Sequence, residues 1–480
     1  MIKAGFFETD ITPSIGMERP ATYHKLYHTA IHDPLKARVV VLDDGQERIA
    51  MIGVDTGMLR DLTVPKIRAA IKEKCGIPEK NILLAASHTH AGGSLCGFSA
   101  EELKDAPKLI RQLALKESIS LDVDYEKHVI NQIMTAVCMA EKLKQRVKLA
   151  IGRGFEDKAV FNRCFRMKNG RIATHPGKGN PGIVEPAGPV DPEVGVIAAW
   201  NNNDELIGCI VNYACHGTCY GDGVSADWIY YLEQTVQGVM GKQAKVVFLN
   251  GACGDVTQVD NQSLCPIELG EKWSRMLGTR VGAEVLKVLV SSEKGEDFKL
   301  AVLTDKLNLK IRKPSAASII KCRKICEQMI AKPEKTTEFH FAKERLVLDY
   351  LLSKNDSRTL EIQAIQIGPA VLLSNPAEYF CQYGLDIKQR SNFPFTFVVE
   401  LANGCCSYVP TEDAFDPEHG GGYETVLTNY SNLEVQAGRK IMEKSLELAG
   451  RLVPGDVPKG EQVKPSNEVW DFGALGPELE

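Results

Sequence analysis

The stretch LKARVVVLDDGQERIAMIGVD, residues 35–55, decides the fold class. Two apolar, β-branched runs flank Asp43, Asp44 and Gly45, residues suited to a tight turn, so the stretch predicts an antiparallel hairpin. The same pattern predicts a second hairpin from VGVIAAW, NNND and ELIGCIVNYA (194–214), and a third from LEIQAIQI, Gly368-Pro369 and AVLLSN (360–375). Elsewhere the apolar period lengthens to 3.6. Helices are expected in YEKHVINQIMTAVCMAEKL after an Asp124 cap, in ADWIYYLEQTVQGVM after a Ser225 cap, and in IELGEKWSRMLGTRVGAEVLKVLV. Strands alternating with helices give an α/β class, and the hairpins make its β-sheets mixed and flanked by helices.

No fixed-period repeat is visible. Residues 168–193 are rich in Gly and Pro and read as loop, and beyond Leu452 the chain becomes VPGDVPKGEQVKPSNEVWDFGALGPELE. The expected organisation is one domain over residues 1–452 and an irregular C-terminal tail over 453–480. The tail also gives the one hint of a homo-oligomer. At 480 residues, 44% hydrophobic and 25% charged, the composition is that of a globular protein, and a formal net charge of -5 excludes the basic footprint of a nucleic-acid binder. No run approaches the roughly 18 apolar residues of a membrane span, and MIKAGFFETDITP lacks the pattern of a secretory signal, so a cytoplasmic location is expected. The fourteen scattered cysteines then read mostly as buried free thiols.

Four apolar runs end in side chains able to bind metal: ILLAASHTH (82–90), IGCIVNYACHG (207–217), AVLLSNPAEYF (370–380) and FTFVVELANGCCSYVPT (395–411). Strand ends line the functional crevice of α/β sheets, so His88, His90, His216, Glu378 and Tyr408 are candidates to converge there. On a strand, His88 and His90 would share a face. Two histidines and a carboxylate are a recurring zinc set. The bland alternative is that each histidine is a satisfied polar residue at a strand end, and that Asn375-Pro376-Ala377-Glu378 is an ordinary helix start. Cys253, in VVFLNGACGDVT, is a second candidate, a nucleophile with His216 as base, although the turn lacks the nucleophile-elbow spacing. CHGTC at 215–219 has no matching second Cys/His pair for a thiolate zinc site, and GKGNPG and GGGY are not phosphate loops.

Taken in order, GFFETDITP (5–13), DPLKARVVVLDDG (33–45), SHTHAGG (87–93), FNR (161–163), GPVDPEVGV (188–196), ACHGT (214–218), SADW (225–228), NGACGDV (250–256), NPAEYF (375–380), and SYVPTEDAF with GGYE (407–424) resemble the N-terminal catalytic domain of the neutral, non-lysosomal ceramidases and their bacterial relatives. The resemblance covers nearly the whole chain. It implies a Zn2+ held by His88, His216, Glu378 and Tyr408, with His90, Arg163 and Tyr423 around the reacting carbonyl. The implied activity is that of a metallohydrolase acting on a small-molecule amide.

Two departures bear on the substrate. Where the family carries G-D-V-S-P-N this chain has Gly254-Asp255-Val256-Thr257-Gln258-Val259, and the residues after Leu452 are not expected to form the family's C-terminal β-sandwich. Both point away from ceramide and towards a smaller, more polar linear amide. An ester or lactone hydrolase and a non-catalytic binding protein on the same fold remain as alternatives.

Overall fold

The computed structural model describes residues 1–460 and 462–480. All three predicted hairpins form. Ala37–Asp43 runs antiparallel to Arg48–Val54, from Ala37↔Val54 to Asp43↔Arg48; Gly195 to Trp200 pairs with Leu206 to Asn212; and Gln363–Ile367 pairs with Ala370–Ser374. Each hairpin then gains a parallel neighbour: Ile82–Ala86, Lys245–Asn250 and Phe395–Val399, respectively. The three principal sheets are thus mixed.

Strand alternation assigns the two faces of each sheet. In the first, Val40, Leu42, Ile49, Met51 and Leu83 face inward and pack with Leu149, Ile197, Ile210 and Val247 of the second and Ile365, Leu372 and Phe397 of the third. Their neighbours Val39, Val41, Ala50 and Ile52 face outward onto the helices Val64–Cys75 and Val123–Lys142. Trp228–Met240 and Glu271–Ser291 cover the second sheet in the same way, and Cys381–Arg390 and Ala437–Gly450 the third. The period-2 pattern therefore builds a shared inner core and a separate helical coat. A further apolar cluster joins Lys108–Leu115, Ala316–Met329 and Thr337–Leu352 beside this body.

Several local expectations need correction. The helix Val123–Lys142 is capped by Asp122, whose carboxylate accepts from the N–H groups of Asp124 and Tyr125; Asp124 lies inside the first turn. The next helix begins at Trp228 after an Asp227 cap, while the Ser225 hydroxyl donates to Asp33 at 2.5 Å. Residues 168–193 are not all loop: Ile172–Thr174 and Ile183–Pro186 flank Cys164–Met167 in a three-stranded sheet. Glu378 lies in the strand Ala377–Tyr379, so NPAE is not a helix start. Among the described residues after Leu452 there is no helix or strand; Val453 and Gly455 bond to the Gln366–Gly368 turn. No helix is long and apolar enough to cross a membrane among the described residues.

Candidate active site

His88 and His90 meet, but not through the pleat of a strand. The strand ends at Ala86, and His88 adopts φ +63°, a left-handed conformation that strains a non-glycine residue. Its N–H donates to Thr56 O at 2.9 Å. A parallel bridge between Thr89 and Gly217, with the His90 N–H donating to Gly217 O at 2.9 Å, then sets this turn beside the segment that follows the strand Leu206–Tyr213. The His88 ring centre consequently lies 4.9 Å from that of His90 and 4.5 Å from that of His216. Glu378 and Tyr408 come together by register, as opposite residues in the parallel pair Ala377–Tyr379 and Ser407–Val409.

Hydrogen bonds fix which ring nitrogens face inward. His88 Nδ1 lies 2.7 Å from Gly57 O and His216 Nδ1 3.1 Å from Val256 O, so each Nδ1 carries the proton and each Nε2 presents a lone pair. His88 Nε2 is buried without a hydrogen-bond partner, 3.3 Å from Glu378 Oε2, and His216 Nε2 lies 3.8 Å from the same oxygen. A lone pair directed at a carboxylate oxygen is unfavourable unless a cation or a proton stands between them. Ligand atoms of His88, His90 and His216 all fall within 4.8 Å of one another, and this is the metal-capable His/Cys/Asp/Glu group found among the described residues. The site thus fits a metal on its own geometry, with two oriented imidazoles, a carboxylate and an adjacent phenol.

Arg163 lies across from these groups. Its Nε donates to Glu424 Oε1 at 2.8 Å and its Nη2 to Gly254 O at 2.8 Å, leaving Nη1 3.2 Å from His216 Nε2. Glu424 is fixed in turn by Thr174 Oγ1 at 2.6 Å, and the same hydroxyl accepts the Tyr423 N–H at 3.0 Å. Tyr423 stands edge-on to Tyr408, ring centres 5.3 Å apart. Burial lowers the pKa of His90, as do the charges of His88, Arg19 and Arg163; burial and Arg163 lower that of His216. Burial opposes charge on His88 too, but Glu378 outweighs it and the net shift is upward.

The cavity over this cluster has a volume of about 550 Å³, and His88, His90, Arg163, Glu378, Tyr408 and Tyr423 all line it. His216 lies fully buried beneath. Cys253 does not line the cavity: its buried thiol donates to Glu400 Oε1 at 2.9 Å, and burial raises its pKa well above normal, which makes it an inert structural thiol. Thr257 is likewise buried, its hydroxyl accepting the Val259 N–H at 3.1 Å.

Tyr23, Thr174, His175 and His340 also line the cavity, and Glu424 and Glu400 support it, although sequence reasoning singled out none of them. Glu424 had a signal, the GGYE motif from which Tyr423 alone was drawn. Glu400 takes the N–H groups of Cys253 and Tyr379 at 3.0 and 2.8 Å, and burial pushes its carboxyl up to about 7.

No protein-family model matches the chain. The neutral ceramidase of Pseudomonas aeruginosa is 27% identical over 192 residues, which span 39% of this chain and 26% of that protein, so only about a quarter of the relative's length is matched. A crystal structure of neutral ceramidase from Pseudomonas aeruginosa superposes with a TM-score of 0.66 at 18% identity, covering 97% of this chain and 76% of that one. A ceramidase complexed with C2 gives the same TM-score and identity over 97% and 77% of the two chains. Fold and ordered motifs agree: the chain has a neutral-ceramidase-like domain.

Proposed function

We propose that this protein is a zinc-dependent hydrolase that cleaves the carbon–nitrogen bond of a linear amide other than ceramide. The observation that carries the reading is the convergence of His88 Nε2 and His216 Nε2 on one oxygen of Glu378, at 3.3 and 3.8 Å. With Tyr408 beside Glu378 in register, these four residues would hold the metal. Bound zinc supplies Lewis acidity and lowers the pKa of water towards 7. The similarity to the neutral ceramidase of Pseudomonas aeruginosa supports a hydrolase.

The chain's own groups divide the remaining work. Arg163, gripped by Glu424 and Gly254 O, holds Nη1 3.2 Å from His216 Nε2, and with that lone pair given to a metal Nη1 would donate to an oxyanion, a contribution of roughly 2.7–4 kcal/mol. His90 Nε2 has no protein partner, so it is available to accept the proton that the attacking water gives up and pass it to the leaving nitrogen, and the Tyr423 hydroxyl is a second donor lining the same cavity. Tyrosine, histidine and threonine make up most of the cavity lining, and the surface they present is mainly ring and methyl carbon, so a modest apolar group on the amide fits within the roughly 550 Å³ available.

Metal analysis and turnover of two variants test the reading. The purified protein should contain stoichiometric zinc; His88→Ala should lose it, whereas His90→Ala should keep it and lose amide hydrolysis. A protein without zinc sinks the proposal, and equal metal loss in both variants sinks the division of roles.

A further inference from the structure

Lys343 is the most deeply buried ammonium beside the cavity, 1% exposed on the helix Thr337–Leu352. Burying such a charge is costly unless its protons are well used. Two of them go to backbone carbonyls, Tyr23 O at 2.6 Å and Glu117 O at 2.5 Å, while the Glu344 carboxylate stays 3.7 Å away. The charge therefore grips the chain at Tyr23.

A second cation grips the same segment four residues earlier. Arg19 donates from Nε to His90 O at 3.1 Å, from Nη2 to Tyr220 O at 2.9 Å, and from Nη1 to Gly221 O. Between these anchors no helix or strand stabilises the backbone, and Ala21 is held at φ +55°. Ala21, Thr22 and Tyr23 nonetheless form one side of the cavity. Tyr23 is 46% exposed although it lines the cavity, its ring edge-on to Tyr423 with centres 6.0 Å apart and 5.9 Å from His340. A chain attached to the reacting carbonyl and leaving on this side must pass that ring.

We propose that Tyr23 determines specificity at the mouth, restricting the acyl side to short chains, and that Arg19 and Lys343 are positioning residues that hold it there. The proposal rests on the hydrolase reading for the identity of the reacting group. Because both anchors act on backbone carbonyls, the Tyr23 side chain can be changed without removing either one.

Product carboxylates give a readout that does not require turnover. Calorimetry with acetate and octanoate on the zinc-loaded wild type, Tyr23→Phe, Tyr23→Ala, Lys343→Met and Arg19→Gln measures chain-length preference directly. Wild type and Tyr23→Phe should favour acetate. Tyr23→Ala should shift the octanoate/acetate affinity ratio by about tenfold or more, which two newly buried methylenes suffice to supply. Lys343→Met should shift it in the same direction with metal content unchanged; if that variant does not accumulate, Arg19→Gln gives the same reading. A ratio in Tyr23→Ala within twofold of wild type overturns the proposal, as does failure of all the proteins to bind either carboxylate. If the ratio shifts but wild type hydrolyses no amide, the hydrolase reading fails and the role of Tyr23 stands.

Discussion

Replacing Gly254 by alanine adds one methyl group where the turn after the strand Lys245–Asn250 meets the strand that carries Glu378. The new Cβ would lie 2.5 Å from Glu378 O, 2.8 Å from Glu378 C and 3.0 Å from Tyr379 C. All three atoms are backbone, so no side chain can rotate away, and ordinary contact at 3.4 Å or more requires the strand to move by the better part of an ångström. The Gly254 N–H to Tyr379 O bond of 2.9 Å resists that movement. Overpacking of this kind costs about 1–3 kcal/mol. The strand also carries the carboxylate that lies 3.3 and 3.8 Å from His88 Nε2 and His216 Nε2, so metal retention should weaken as well, by about 10–100-fold if the shift acts as loss of a supporting contact does. The matched control is Gly238→Ala, inside the helix Trp228–Met240 with nothing within 4 Å of the added carbon, which should gain about 0.8–1 kcal/mol. Urea denaturation of chelator-treated protein reads the packing cost, and metal analysis after dialysis reads retention. The reasoning fails if Gly254→Ala matches wild type in both measurements, or if the two glycine variants change stability in the same direction.

Three further perturbations probe the frame around the site. Burial pushes Asp33 up to about 7, above its ordinary value near 4, so the folded protein holds a proton there that the unfolded chain releases. The contribution is fully present below about pH 4 and is lost as pH rises to about 7. Relative to Asp33→Asn, wild type should therefore lose on the order of 4 kcal/mol across that window; parallel stability–pH curves for the two proteins refute the assignment. Arg38, 1% exposed, donates to Asp55 at 2.6 Å and Glu233 at 2.8 Å, so Arg38→Met strands two buried carboxylates and should cost about 3–5 kcal/mol in denaturant titrations, and a loss under 1 kcal/mol would mean that Lys36 compensates. Cys75 and Cys138 have Sγ atoms 2.6 Å apart, the former with its pKa pushed up to about 12 by burial, so slow exchange with glutathione disulfide, faster at high pH, should link them; non-reducing peptide maps that retain both free thiols contradict this.

The parts of the fold legible in the sequence are those fixed by neighbours in the chain. The turn residues Asp43 to Gly45 and the alternation on either side determine the pairing of Asp43 with Arg48 without help from elsewhere. Helix caps were less legible because competing donors and acceptors lie nearby or far off. Asp122 and Asp124 have the same chemistry two residues apart, and Ser225 is diverted by Asp33, 192 residues away in the chain. At the site, His88, His90 and His216 do follow strand ends while Glu378 and Tyr408 sit inside a short parallel pair, and the pleat argument for the first two fails at φ +63°, where a bridge to Gly217 takes its place. Tyr23 and His340 were illegible for another reason. Neither ends a strand: Tyr23 is held by the buried grip of Lys343, and His340 lies on the helix Thr337–Leu352, whose approach to the site no local pattern announces.

Charge explains why these residues suit a divalent cation better than a proton alone. The imidazoles of His88 and His216 are oriented by the backbone carbonyls of Gly57 and Val256, so no second carboxylate is spent on either ring. The acidic groups behind the site serve other partners: Glu424 neutralises Arg163 at 2.8 Å, and Glu400, with its pKa near 7, binds the N–H groups of Cys253 and Tyr379. Glu378 is left as the one carboxylate facing both inward lone pairs. A proton on His88 Nε2 answers one of those contacts and leaves His216 Nε2 sharing only the Arg163 guanidinium at 3.2 Å. A cation bound by both imidazoles and the carboxylate answers all of them together, and it leaves Arg163 Nη1 free to meet the negative charge that develops on a reacting carbonyl.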